Sequence, residues 1–406
     1  MLAAAGGLSA LRCSPKDVTH AVLTSSDAGD YSGSDAGPAP SPRGVDAGLG
    51  VLVLDLADTP CATSGATSVQ LLNADAGAPW FRSLHAVGTR RAADGIGGEG
   101  FVTFEADGTR LVSAIGTTGM QDNLVASTGS GILLAGSVEP EAVVFRAYDA
   151  LGMPQGTITT LAGEVSDGLG VCATATSALV AWGGPTALRG RGIVAATPAG
   201  NFAFDLALTN RTHGLTLSIV DDDHDRFAFV FSGDDSGTAN QTVFGRATTM
   251  GRVGDPVAIF TGDRPRRIVQ LAKLKAGYAF VLSAGGSTPV GTLVILDVFG
   301  RVVVARRLLG TTEALGLARQ GDELGVTAIR TILDADAGTV RHAPAFRPFD
   351  ATGEPLGPWV CLADPGVAPD VGAAIMADGV GYAVVYRGND GATKLGRFDH
   401  LGTGVP

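Results

Sequence analysis

Apolar residues along this chain come in short runs rich in Val, Ile, Leu and Phe, and each run gives way to Gly, Pro, Asp or Ser before the next begins. Short β-branched and aromatic runs between turn residues predict strands, whereas a helix would show three- and four-residue spacing over a longer stretch. Between many of these runs stands the same small word: an acidic residue or Thr, two residues of any kind, then Gly. The copies are Glu105 to Gly108, Asp149 to Gly152, Thr197 to Gly200, Thr248 to Gly251, Asp297 to Gly300, Asp350 to Gly353 and Asp399 to Gly402. Successive glycines lie 44, 48, 51, 49, 53 and 49 residues apart. A period near fifty residues made of strands predicts β-propeller blades, and seven words predict seven.

The unit divides into four strands, A to D from the propeller axis outward. In the fifth unit these are 267–272, 278–283, 292–296 and 302–306. The word falls between C and D, where an acidic or Thr side chain can cap backbone amides and Gly supplies positive φ, so the repeated carboxylates read as turn caps rather than a catalytic ring. After the last word only 403–406 remain, too short for an outer strand, while 50–56 form an orphan strand ahead of a first A strand near 69–73. The expected remedy is that 50–56 supply strand D of blade seven and close the ring, which removes its open edge.

Composition then narrows the class. The chain is 45% apolar, with 59 Gly and 20 Pro, so it is all-β with a core that needs neither metal nor disulfide to fold. A net charge of -11 without a Lys/Arg cluster disfavours nucleic acid and anionic headgroups. Residues 1–13 are apolar up to Cys13 and lack a basic start; a lipoprotein signal acylated at Cys13, another export signal and a coincidental apolar start all stay open, because Arg12 breaks the usual small-residue box. Residues 14–48 repeat Asp-Ala-Gly amid Ser and Pro and predict a disordered tether, leaving 49–406 as the propeller.

The segment Phe346-Arg347-Pro348-Phe349-Asp350-Ala351-Thr352-Gly353 resembles the Phe-x-x-Phe-Asp-x-x-Gly turn of secreted bacterial β-propeller proteins and lipoproteins. The resemblance covers 49–406 and implies the fold and an exported location. It implies no activity.

Candidate chemistry is sparse. Asp221-Asp222-Asp223-His224-Asp225 could offer oxygens to calcium but lacks the spacing of a calcium loop, so it reads as a solvated A-to-B turn. Gly95-Ile96-Gly97-Gly98-Glu99-Gly100 spells a dinucleotide fingerprint but is followed by a strand, not a helix, so it reads as a loop. No cofactor or metal site is expected. Cys61 and Cys361 fall on adjacent blades and could pair in an oxidising compartment, while Cys172 on an inner strand reads as a buried thiol. The B-to-C and D-to-A loops share one rim of the central channel, and the rim candidates are Arg90, Arg91, Asp94, Arg189, Arg191, Asp234, Asp235, Arg264, Arg266, Arg267, Asp334, Asp336, Arg341, His342 and Asp390.

Three functions follow. The leading one is a non-enzymatic, exported binding or scaffold module, monomeric, tethered at the cell envelope and presenting this rim to a protein or glycan. The second is a polysaccharide hydrolase or lyase using carboxylates such as Asp234 and Asp334, which would have to stand roughly 5 to 10 Å apart. The third is a calcium-stabilised adhesion module.

Overall fold

A computed structural model describes residues 51–54, 61–63, 68–72 and 80–405 apart from 97–99, 114–119, 139–141, 163–166, 184–186, 206–215, 224, 234–239, 263–265, 285–289, 335–338, 365–371 and 389. The predicted signal and tether, Cys13 included, lie outside these residues.

The chain is an all-β, seven-bladed propeller. Its antiparallel sheets span 80–113, 121–162, 167–205, 216–262, 266–308, 311–361 and 373–405, with the N-terminal segment adding further strands. Apolar side chains alternate onto both faces of each sheet and meet those of the next blade, so seven clusters fill the slots between blades rather than one central core. The B strands are the most buried: Ser177–Gly183 has no exposed residue and Phe227 to Phe231 are nearly solvent-free.

Six words form the C-to-D turn as expected. In each the N–H of Gly donates to the carbonyl of the first residue at 3.0 or 3.1 Å, and Gly carries φ between 79° and 92°. The third copy does not. There the turn is made by Ala195 and Ala196 at φ 49° and 58°, and Thr197 already begins the outer strand Thr197–Asp205. Gly200 serves close packing instead: a Cβ on it would lie 2.1 Å from the Met250 carbonyl carbon of blade four.

An N-terminal strand closes the ring, but not the one expected. Strand β1 (Val51–Leu54) joins blade five as a fifth, outermost strand, parallel to Val302–Leu308. β2 (Ala62–Thr63) does the same on blade six, parallel to Val360–Cys361. β3 (Val69–Leu72), expected to be the first inner strand, pairs antiparallel with Thr393–Asp399 and completes blade seven beside the short C-terminal strand Gly404–Val405. The reason is reach: from β3 only 73–79 must cross to the first inner strand, Trp80–Val87, as a blade-to-blade connection normally does. Cys61 and Cys361 form a disulfide, on one blade rather than two.

Polar seams join blades at the word-bearing end. Asp222, expected in a solvated turn, is 3% exposed and takes Lys273 and Tyr278 of blade five together with Arg246 of its own blade. Asp378 repeats the arrangement between blades seven and one, pairing with Arg397 at 3.0 Å and with the buried Arg91. Arg246 and Arg397 each stand two residues before a word, so the two seams occupy equivalent positions on their blades.

Candidate functional site

Each inner strand is hydrogen-bonded to its B strand on one edge and faces the central channel with the other, which leaves amides without a ladder partner. Side chains of the preceding blade supply acceptors. Ser218 Oγ accepts from the Leu271 N–H at 2.9 Å, Gln270 Oε1 from the Leu317 N–H at 3.0 Å, and Ser283 Oγ from the Ala314 N–H at 2.9 Å. Asp94, fully buried, uses one oxygen this way, on the Val125 N–H at 3.0 Å, and the other on the Ser83 N–H of its own blade at 2.7 Å. These polar residues therefore bind blade to blade.

The channel encloses about 330 Å³ and is walled by all seven inner strands. Two features of its wall remain available. Ser83 Oγ and His85 Nε2 lie 2.8 Å apart, and burial holds the imidazole below its ordinary pKa although the Asp94 charge and the Val125 carbonyl pull it up. At the loop-bearing mouth Arg267 of blade five forms an ion pair with Glu313 of blade six, and both keep substantial exposure, 54% and 33% of the side chain.

The expected rim residues divide. Arg267 is at the channel mouth. Arg266 turns aside and lays its guanidinium over the Phe260 ring at 5.3 Å. Arg189 and Arg191 are half-buried on strand Ala187–Val194, on the sheet face of Ile193, which packs between blades two and three; they line a slot, not the mouth. Asp390 is exposed and paired with Lys394 at 2.9 Å, whose hydrogen bond holds its carboxyl below the usual range. Asp234, Asp235, Arg264 and Asp336 lie outside the described residues, and so does His224.

Blade six brings the remaining candidates together. Its strands Glu323–Asp334 and Thr339–Asp350 are 12 residues long, against at most 9 in any other B or C strand, and the inner strand pairs with them only up to Arg330. Residues 331–334 and 339–342 therefore continue past the end of the inner-strand pairing as a two-stranded ribbon, whose Thr331, Ile332, Arg341 and His342 are half-buried. Arg341 and His342 lie on this ribbon opposite Ile332 and Thr331, and Asp334 pairs with Thr339 at its far end. Arg330 anchors its base by donating to the Leu309 carbonyl at 2.8 Å. Asp94, expected on the rim, is instead fully buried on its B strand, while Ser83, Gln270 and Glu313 were not singled out by sequence and His85 read as ordinary surface. The available signal was a polar residue inside an apolar strand, as in Ile268-Val269-Gln270-Leu271.

Among the described residues no group of three or more His, Cys, Asp or Glu could hold a metal ion. No protein-family model matches the chain, and comparison with curated proteins finds no match. Among solved structures it is similar to a chain of a crystal structure of a mitotic checkpoint complex, at 12% identity and TM-score 0.48, covering 91% of this chain and 98% of that one. A chain from a crystal structure of a eukaryotic initiation factor gives 10% identity and TM-score 0.40, covering 85% of this chain and 94% of that one. At such values the likenesses carry no functional argument. What the sheets define is a seven-bladed β-propeller whose sixth blade carries an extended two-stranded ribbon at the end where Arg267 and Glu313 meet.

Proposed function

We propose that the protein is a non-enzymatic binding module, exported and held at the cell envelope, that engages a protein or glycan through the loop-bearing face. The observation that carries this reading is the blade-six ribbon, which extends past the inner-strand pairing and places Arg341 and His342 at the same end of the propeller as the Arg267–Glu313 mouth. Loops and projections on a stiff scaffold are where recognition is usually built. Supporting the absence of catalysis, the buried carboxylate of Asp94, on a B strand behind the channel wall, is committed to two backbone amides and Glu313 is ion-paired, so neither is poised as a general acid. Supporting export, the Cys61–Cys361 disulfide suits an oxidising compartment.

The test is binding of the full chain to arrays of envelope glycans and envelope proteins, beside a variant carrying Arg267→Ala, Arg341→Ala and His342→Ala. Specific ligands should be lost in the variant. Equal binding by both chains would remove the rim from consideration, and release of reducing ends from a polysaccharide would sink the non-enzymatic reading.

A further inference from the structure

We infer that residues 18–24 add a fifth strand to blade four, parallel to its outer strand Val257–Gly262. The N-terminal segment already behaves this way around the ring. β1 lies on blade five, β2 on blade six and β3 on blade seven, in chain order, and the next strand, Trp80–Val87, opens blade one. All three run in the direction of an outer strand: β1 and β2 are parallel to the outer strands of their blades, and β3 itself takes the outer place on blade seven. Followed backwards from β1, the same path arrives at blade four.

An open hydrogen-bonding edge stands there. Among the described residues Val257–Gly262 pairs with Asn240–Thr248 on its inner side and with no strand on its outer side. Edges left open are ordinarily guarded by a charge or by Pro, which hinder a further strand from pairing. The outer strands of blades one to three conform: Arg110–Ser113 begins with Arg110, Pro154–Ala162 begins with Pro154, and Thr197–Asp205 contains Pro198 and Asp205. Val257–Gly262 reads Val-Ala-Ile-Phe-Thr-Gly and carries neither guard.

Sequence and reach select the occupant. Residues 18–24, which lie outside the described residues, read Val-Thr-His-Ala-Val-Leu-Thr, a run of strand formers without Gly or Pro. Residues 25–50 repeat Asp-Ala-Gly amid Ser and Pro and hold no comparable run. Residues 55–61 are enough to link β1 on blade five to β2 on blade six, and 64–68 to link β2 to β3 on blade seven, so 25–50 span an equivalent step with slack. The surplus opposes pairing only weakly, because the entropy of closing a loop grows with the logarithm of its length. The tether expected over 14–48 thereby narrows to the part that follows residue 24. A strand in this direction leaves Cys13 at the word-bearing end, away from the Arg267–Glu313 mouth, so an anchor at Cys13 would turn the proposed binding face outward. That consequence rests on the envelope reading above, whereas the pairing and its test do not.

Hydrogen exchange read by mass spectrometry is compared among the full chain, Val22→Pro and a chain starting at residue 45, which keeps β1, β2 and β3. Val22→Pro removes a backbone donor from the added strand and touches none of the seven blades. Amides of 257–262 that are not already bonded to Asn240–Thr248 should exchange about ten-fold more slowly in the full chain than in either other chain. This protection should be the same at every protein concentration. Equal exchange in all three chains overturns the inference, and so does protection found at 154–162 or 197–205 instead, which would give the segment to another blade. Loss in the shortened chain alone, with Val22→Pro still protected, would place the contact elsewhere in residues 1–44 and overturns it as well. Protection that fades on dilution does the same, because the strand would then come from a second copy.

Discussion

Cys61, ahead of the seven blades, is disulfide-bonded to Cys361 on the outer edge of blade six, 300 residues along the chain, with Cα atoms 5.2 Å apart. The bond sits where β2 adds only two residue pairs to its blade, too few to hold by themselves. It therefore fixes the path of the N-terminal segment between β1 on blade five and β3 on blade seven.

Reduction should loosen this path without opening the ring, because β3 and the C-terminal strand complete blade seven independently of sulfur. Disulfides typically contribute about 2–4 kcal/mol, less than the ~6 kcal/mol that chain entropy alone gives for so long a closed loop, so a fall of roughly 3–8 °C in melting temperature is expected. Melting with and without a reductant, repeated on Cys361→Ser, measures it. No change in either would mean that the bond contributes nothing to stability.

Truncation separates the roles of the three added strands. A chain starting at residue 55 loses β1 alone and should keep a cooperative melt at slightly lower temperature. A chain starting at residue 74 also loses β3, leaves the edge of Thr393–Asp399 largely uncovered, and should aggregate or unfold in stages. Equal stability of the two chains, compared by melting and light scattering, would contradict closure by β3.

The contrast between what sequence showed and what it hid follows the range of the interactions. Blade count and strand identity were legible because turn chemistry is local: Asp297 and Gly300 complete their bonds within four residues. The copy at Thr197 misled because Gly200 is retained for contact with Met250 on another blade, which no local pattern reveals. Likewise an orphan strand was visible at 50–56, but its partner was a matter of long-range pairing. Among the rim candidates, Arg267 stands at the channel mouth, whereas strand alternation sent Arg189 and Arg191 into a slot. Asp222 looked solvated in its acidic run because Lys273 and Tyr278 come from the next blade.

Two glycines of nearly equal φ should respond unequally to Ala. Gly300 has φ 83° and a Cβ there would lie 2.2 Å from the Phe244 ring, which is 2% exposed and wedged against Tyr278 at 4.8 Å. Gly156 has φ 78° with nothing within 4 Å. Gly156→Ala should cost about 1 kcal/mol of backbone strain, and Gly300→Ala about 2–4 kcal/mol because overpacking is added. Denaturant titration of both variants decides. Equal costs would show that the Phe244 ring moves aside freely.

The Asp222 seam gives a pH-dependent test. Burial pushes its carboxyl up, but hydrogen bonds from Lys273 and Tyr278 and the charges of Lys273 and Arg246 outweigh this and hold it below its ordinary value. Lys273 is shifted the other way: burial lowers it, and its bonds to Asp222 and Tyr278 raise it above the usual ammonium value. A depressed carboxyl contributes stability that is complete above its unfolded pKa, about 3.9, and is lost as pH falls through the lower folded value. A raised ammonium contributes stability that is complete below about 10.4 and is lost as pH rises through the higher folded value. Asp222→Asn removes the charge while keeping the shape. Its destabilisation should be about 2–3 kcal/mol, below the cost of a fully buried pair because Lys273 and Arg246 remain about a third exposed. The difference from the parent chain should be level between pH 5 and 9 and shrink on acidification below about 4. Urea unfolding of both chains across that range measures it, and a difference that persists unchanged at pH 3 would show that the ionised carboxylate does not hold these blades together.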